Sequence, residues 1–170
     1  GRTTIPYGGL QPGRSIQLRL ADLAAAREIL EPYTDAVASR TSLGGDFSIA
    51  YGGKEGSFDV YGIYPEYVVP EKTMLMQGRE INQQDVTQRR SVAFIGARVA
   101  EVLFPPGTDP IGKDLRVRGL PFKVIGVFAD DGGDREEGRV YLPDLSFRQA
   151  FGKGDTLDNI VSVMKPGVDP

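Results

Sequence analysis

Gly78-Arg79, Val92-Ala93-Phe94-Ile95-Gly96, Leu103-Phe104, Asp109-Pro110-Ile111-Gly112-Lys113 and Phe122-Lys123-Val124-Ile125-Gly126-Val127-Phe128 follow one another through residues 78–128 and decide the fold. Val92 to Ile95 is uninterruptedly apolar, the pattern of a strand covered on both faces. Gly96 breaks it. Val99, Ala100 and Leu103 then recur at helical spacing, giving a helix of about two turns that ends before Pro105-Pro106-Gly107. Leu115 and Val117 alternate with Arg116 and Arg118. Gly119-Leu120-Pro121 supplies a turn, and Phe122, Val124 and Phe128 continue on one face with Ile125 and Val127 on the other. Leu115–Val117 is therefore expected to pair antiparallel with Phe122–Val124. Each of these segments builds structure, and none carries a nucleophile or an acid–base pair.

Working outward, Leu20, Leu23, Ala24 and Leu30 recur at helical spacing with Ala26, Ile29 and Tyr33 nearby. This predicts a helix with Arg27 and Glu31 paired on its outer face, ended by Pro32. A β-leaning stretch, Ala36 to Leu43, comes next. Phe47, Ile49 and Tyr51 alternate with smaller residues, and Gly52 to Gly56 turns the chain toward Phe58–Tyr64, a second alternating run. Pro65 to Pro70 is irregular, and Met74-Leu75-Met76 is a short apolar segment. Beyond the second hairpin come an acidic, Gly-rich loop at 130–138 and a short strand, Val140 to Leu142. Pro143 and Asp144 open a helix carrying Phe147 and Phe151, with Gly152 as its stop. Ile160 to Met164 is the last strand. The pattern as a whole is α+β.

At 170 residues the chain is long enough for one domain with a substantial core. Its 20 basic residues are scattered among 23 acidic ones, so no stripe is available to neutralise a phosphate backbone, and nucleic acid is not an expected partner. Zero Cys and zero His remove disulfides, thiol catalysis, thiolate zinc sites and the commonest general base. No apolar run approaches the length of a membrane span. None of these counts fixes the compartment.

Two groups are candidate sites. Asp130, Asp131 and Asp134, with Glu136 and Glu137, form a carboxylate cluster between glycines of a kind suited to Ca²⁺, although the order is not that of an EF-hand. A solvated hairpin loop is the competing reading. The same carboxylates support a third, weaker alternative, a glycosidase-type hydrolase. Tyr51, Tyr61, Tyr64 and Tyr67 cluster in the middle segment and are the candidates for a partner or ligand surface. Gly112-Lys113 lacks the upstream glycine and the following Ser or Thr of a phosphate loop. Lys113, Arg116, Arg118 and Lys123 read as a solvated strand face that keeps an edge from pairing. No cofactor and no catalytic residue is expected.

The order and spacing of the words in 78–128 resemble the extracytoplasmic core domain of MacB-type and FtsX-type ABC-transporter permeases. Weaker likeness extends from Tyr7-Gly8-Gly9-Leu10 to Val168-Asp169-Pro170. The resemblance implies a two-lobed periplasmic core domain. Residues 1–44 and 153–170 would form a mixed α/β membrane-proximal lobe, trimmed at both ends, and residues 45–152 a β-rich inserted lobe. It also implies a non-catalytic role, coupling cytoplasmic ATP hydrolysis to export, release or partner activation across the membrane. The partners implied are an ABC ATPase subunit or domain and an outer-membrane, lipoprotein or hydrolase partner, in a membrane-embedded and dimeric full-length protein. A free-standing extracytoplasmic binding module is the alternative from a different class. If force passes through such a domain, its first helix and last strand share a lobe.

Overall fold

A computed structural model describes residues 17–44, 48–68, 73–130 and 138–165. In chain order the elements are β1 (Leu18–Arg19), α1 (Leu20–Leu30), β2 (Thr34–Ser42), β3 (Ser48–Tyr51), β4 (Lys54–Ser57), β5 (Asp59–Ile63), a 3-10 turn (Pro65–Val68), β6 (Thr73–Gly78) and α2 (Gln83–Thr87). These are followed by β7 (Val92–Gly96), α3 (Ala97–Leu103), β8 (Asp114–Val117), β9 (Leu120–Asp130), β10 (Arg139–Pro143), α4 (Asp144–Phe151), β11 (Thr156–Leu157) and β12 (Asn159–Met164).

Ten of these strands make one mixed sheet, ordered β12-β2-β5-β10-β7-β9-β8-β3-β4, with β6 also on β9. The apolar run Val92–Gly96 lies deep inside it, buried at every position between β10, antiparallel to it, and β9, parallel to it. Its residues alternate between two cores, as a strand must. Ala93 and Ile95 join Val140 and Leu142 of β10 on one side, and Phe94 joins Tyr141 on the other. β9 is long enough to carry two strands end to end along its other edge. Leu120–Lys123 pairs with β8 and Gly126–Asp130 with β6.

The β8–β9 hairpin has the expected antiparallel register, Leu115 opposite Phe122. Its turn sits earlier than Gly119-Leu120-Pro121, because Arg118 and Gly119 have φ of 48° and 81°. Left-handed backbone at both central positions makes the two-residue loop that matches strand twist, and Leu120 already belongs to β9. The face assignment along β9 also changes. Ala93 pairs with Val124 but Phe94 with Gly126, so Ile125 is an extra residue that shifts the alternation. Val127 consequently joins Phe122 and Val124 in one core, while Phe128 joins Ile125 and Phe94 in the other.

The first hairpin differs more. Tyr51 pairs with Lys54 and Ser48 with Ser57, so a two-residue loop, with Gly52 at φ 57°, closes on β4 rather than on 58–64. β5 leaves this hairpin and lies between β2 and β10. In α1 the inward residues are Leu20, Leu23, Ala26 and Leu30, while Ala24 is exposed and Ile29 and Tyr33 are 67% and 53% exposed. Arg27 does not serve an outer-face pair. Its Nε donates to the Val37 carbonyl at 3.1 Å, because the helix lies on β2.

Leu23, Val37 and Leu157 are the buried centre of a third, smaller core, to which α1 adds Leu20, Ala26 and Leu30 and β12 adds Ile160. The first helix and last strand therefore share a core that the Val92–Gly96 strand does not enter. β12 pairs with β2 and β2 with β5, so main-chain hydrogen bonding runs unbroken from this cluster into the rest of the sheet.

Candidate functional site

The words that stood out in the sequence meet at one place. Gly78 has φ 70°, and a Cβ there would press on the Ile125 carbonyl. The Arg79 amide donates to that carbonyl at 2.9 Å, and a Cβ on Gly126 would run into the Arg79 carbonyl and the Phe94 ring. Two glycines are needed because two backbones cross in contact. Arg79 then forks onto Asp85 at 2.6 and 3.0 Å. Asp85 is fully buried, accepts from the Asn82 amide at 2.9 Å and receives Arg90 at 3.2 Å, while the Asn82 side chain caps α2 by accepting from the Asp85 amide. Burial alone raises the Asp85 carboxyl. Hydrogen bonds from Arg79, the Asn82 amide and Arg90, with the Arg79 charge, more than offset it and hold the group below its ordinary value.

Asp109-Pro110-Ile111-Gly112-Lys113 is a clasp of the same structural kind. Asp109 Oδ1 accepts from the Ile111 amide at 3.0 Å, Gly112 turns with φ 80°, and the Gly112 amide and Lys113 carbonyl both bond Val124. Arg116 closes on the Gly119 carbonyl at 3.0 Å and Lys113, Arg116, Arg118 and Lys123 are exposed, which is the solvated strand face expected.

The structure brings together three of the four candidate tyrosines. Tyr61, Tyr64 and Tyr67 join one core, while Tyr51 packs on Phe104, centroids 4.3 Å apart, in the other. Tyr67 is 1% exposed and belongs to the interior, edge-on to Tyr141. Arg40 lies 4.7 Å over the Tyr61 ring and Arg139 5.6 Å from it, and Arg27 lies 5.0 Å over Tyr64, so this face of the sheet is a layer of guanidinium on phenol rings. Burial, followed by Asp59 for Tyr61 and by Asp144 for Tyr64, raises both hydroxyls, which keeps them protonated.

One polar cluster was not foreseen. Asp144 and Arg148, one turn apart on α4, are both buried, and Arg148 Nε donates to Asp144 Oδ2 at 2.7 Å. Burial pushes the Asp144 carboxyl up, with the Arg148 hydrogen bond and charge working against it. The Asp-x-x-x-Arg spacing carries this signal, as Asn82-x-x-Asp85 carries the cap on α2. Of the acidic loop, Asp131 and Asp134 lie outside the described residues, and Asp130 ends β9 opposite Thr73. Among the described residues no group of carboxylates is placed to hold a metal ion, and no helix is long and apolar enough to cross a membrane.

The model of the MacB-like periplasmic core domain matches residues 2–170. The chain belongs to this family. It is a MacB-like extracytoplasmic domain of an inner-membrane protein. Among similar structures, the periplasmic region of MacB from Actinobacillus actinomycetemcomitans superposes with a TM-score of 0.79 at 25% identity, over 92% of this chain and 70% of that one. The extracellular domain of the noncanonic ABC-type transporter YknZ from Gram-positive bacteria shares the fold, with a TM-score of 0.75 at 20% identity over 89% of this chain and 75% of that one. In sequence, the macrolide export ATP-binding/permease protein MacB of Nitrobacter winogradskyi is 26% identical over 164 residues, 94% of this chain and 25% of that protein. The chain thus spans about a quarter of the length of that relative.

Proposed function

We propose that this MacB-like domain works without chemistry of its own, carrying displacement generated by a cytoplasmic ABC ATPase to the outer side of the membrane, where a substrate is exported or released or a partner is switched on. The observation that carries this reading is the unbroken sheet. β2 and β12, which hold α1, are hydrogen-bonded through β5 into the strands that end at β3 and β4. In this reading residues 1–44 and 153–170 form the membrane-proximal lobe and 45–152 the outward one, and the domain conveys movement by being stiff. Relatives named ATP-binding/permease proteins support the ATPase as the source of movement. The half-buried Tyr61 and Tyr64, layered with arginines, are the surface proposed for a partner.

The test uses the full-length permease. Flexible Gly-Ser insertions after Gly44 and after Gly152, where the chain passes between the two portions, are expected to lower export while ATP hydrolysis continues. Normal export with both insertions would overturn the stiff-domain reading.

A further inference from the structure

Arg148 stands where the small core of α1, β2, β11 and β12 meets the rest of the molecule. Its guanidinium spends its donors on both sides of that junction. Nε goes to Asp144 in its own helix. Nη1 goes to the carbonyls of Lys153, Gly154 and Thr156 at 3.2, 2.8 and 2.7 Å, along the segment leading into β11. Nη2 donates to the Thr41 hydroxyl of β2 at 2.8 Å, and that hydroxyl lies 3.4 Å from the Thr156 carbonyl, to which it donates in turn. The helix that carries Arg148 is itself fixed to the larger body, since Phe147 fills the space left by Gly62 on β5 and sits in the main core.

We propose that Arg148 is a positioning residue that latches the terminal cluster to the main body, so that the two open and close as one unit. The chemistry selects arginine. Carbonyls and a hydroxyl spread around a plane need a fork of donors fixed in that plane, whereas a lysine presents one compact ammonium on a flexible stem. Burial adds to the effect, because Asp144 and Thr41, both buried, would be left on removal of the fork as desolvated polar groups without that partner. Its role in transport rests on the stiff-domain reading above, but the latch itself is a property of this chain and is tested on it.

The experiment is amide hydrogen exchange on this chain and its variants, comparing amides of the β2–β12 ladder with those of the β7–β9 ladder. In the unaltered protein the two sets are expected to open together. In Arg148→Met the β2–β12 amides are expected to exchange about 10- to 100-fold faster, the range set by losing buried charged hydrogen bonds, while the β7–β9 amides keep their protection. Arg148→Lys is expected to behave like Arg148→Met, and Thr41→Val, which removes one acceptor and keeps the fork, to give the same pattern at a smaller amplitude. Should Arg148→Met fail to fold, Thr41→Val and Arg148→Lys decide the matter alone. A uniform loss of protection over both ladders would make Arg148 an ordinary stabilising residue, and unchanged exchange, or full protection in Arg148→Lys, would likewise overturn the latch. None of these outcomes bears on whether the Gly-Ser insertions uncouple export, so the two proposals fail separately.

Discussion

Asp85 shows how much of this fold turns on one side chain. It caps α2, anchors Gly78-Arg79 above β9 and receives Arg90, all from a fully buried position. Asp85→Asn keeps the shape and one acceptor but loses the charge, and a buried charge-assisted network of this kind is worth about 2 kcal/mol. A melting temperature lower by about 4–8 °C is expected for a chain of this size. The dependence on pH has a definite sign. The carboxyl is held below its ordinary value of 3.8 in the folded state, so its contribution is complete above that value and lost as pH falls through the lowered one. The gap between the parent and Asp85→Asn should be full at about pH 6 and shrink in thermal melts as pH falls below the ordinary carboxylate range, since below the folded value both chains carry a neutral group there. A gap that widens on acidification would show that Asp85 is not the stabilising charge. If the loop is solvated, as its sequence suggests, removing charge from Asp130, Asp131 and Asp134 together by Asn substitution is expected to shift stability by less than about 0.5 kcal/mol. A melting temperature that rises with calcium in the parent alone would instead support a calcium site in that loop.

Between elements, the critical spacing is the one where α4 meets β5. A Cβ on Gly62 would lie 2.6 Å from the Phe147 ring, whereas Gly53, in the β3–β4 turn, has nothing within 4 Å. Gly62→Ala is expected to cost about 1–3 kcal/mol by overpacking, and Gly53→Ala far less, read as a shift in the urea midpoint at constant slope. The elements most legible in the sequence were those whose signal is local. A strand at Val92–Ile95, the alternating Leu115 and Val117, and a helix opened by Pro143-Asp144 and stopped by Gly152 were all expected and are present, with the strand running one residue further through Gly96. Turns and bulges misled, because a single residue more or less in them moves every later side chain to the other face. The loop at Arg118-Gly119 and the extra residue at Ile125 both act in this way, and neither is marked by composition. The partner of a strand was also hidden, since β5 alternates as well as any hairpin arm but pairs with β2 and β10, distant in sequence. Of the candidate site, three tyrosines did converge, yet the arginines layered on them and the Asp144–Arg148 pair depend on contacts between segments that no local pattern encodes.

On the scale of the whole molecule, the lack of a phosphate loop in the sequence leads to a direct expectation. Titration of this chain with ATP in a calorimeter should give no saturable isotherm at micromolar affinity, since Gly112-Lys113 is committed to the turn that clasps β9 and bonds Val124. A saturable isotherm would move the energy source into the domain itself. The order of the sheet has a further, geometrical consequence. The strands in line from β12 to β4 do not lie flat, because only Phe58 separates the end of β4 at Ser57 from the start of β5 at Asp59, and Ile49 of β3 shares a core with Val60 of β5. A sheet rolled back on itself in this way resists bending as a tube wall does and a flat ribbon does not. Movement at β2 thus has a short route to the β3–β4 hairpin, through β5 and Phe58, beside the long one across the sheet.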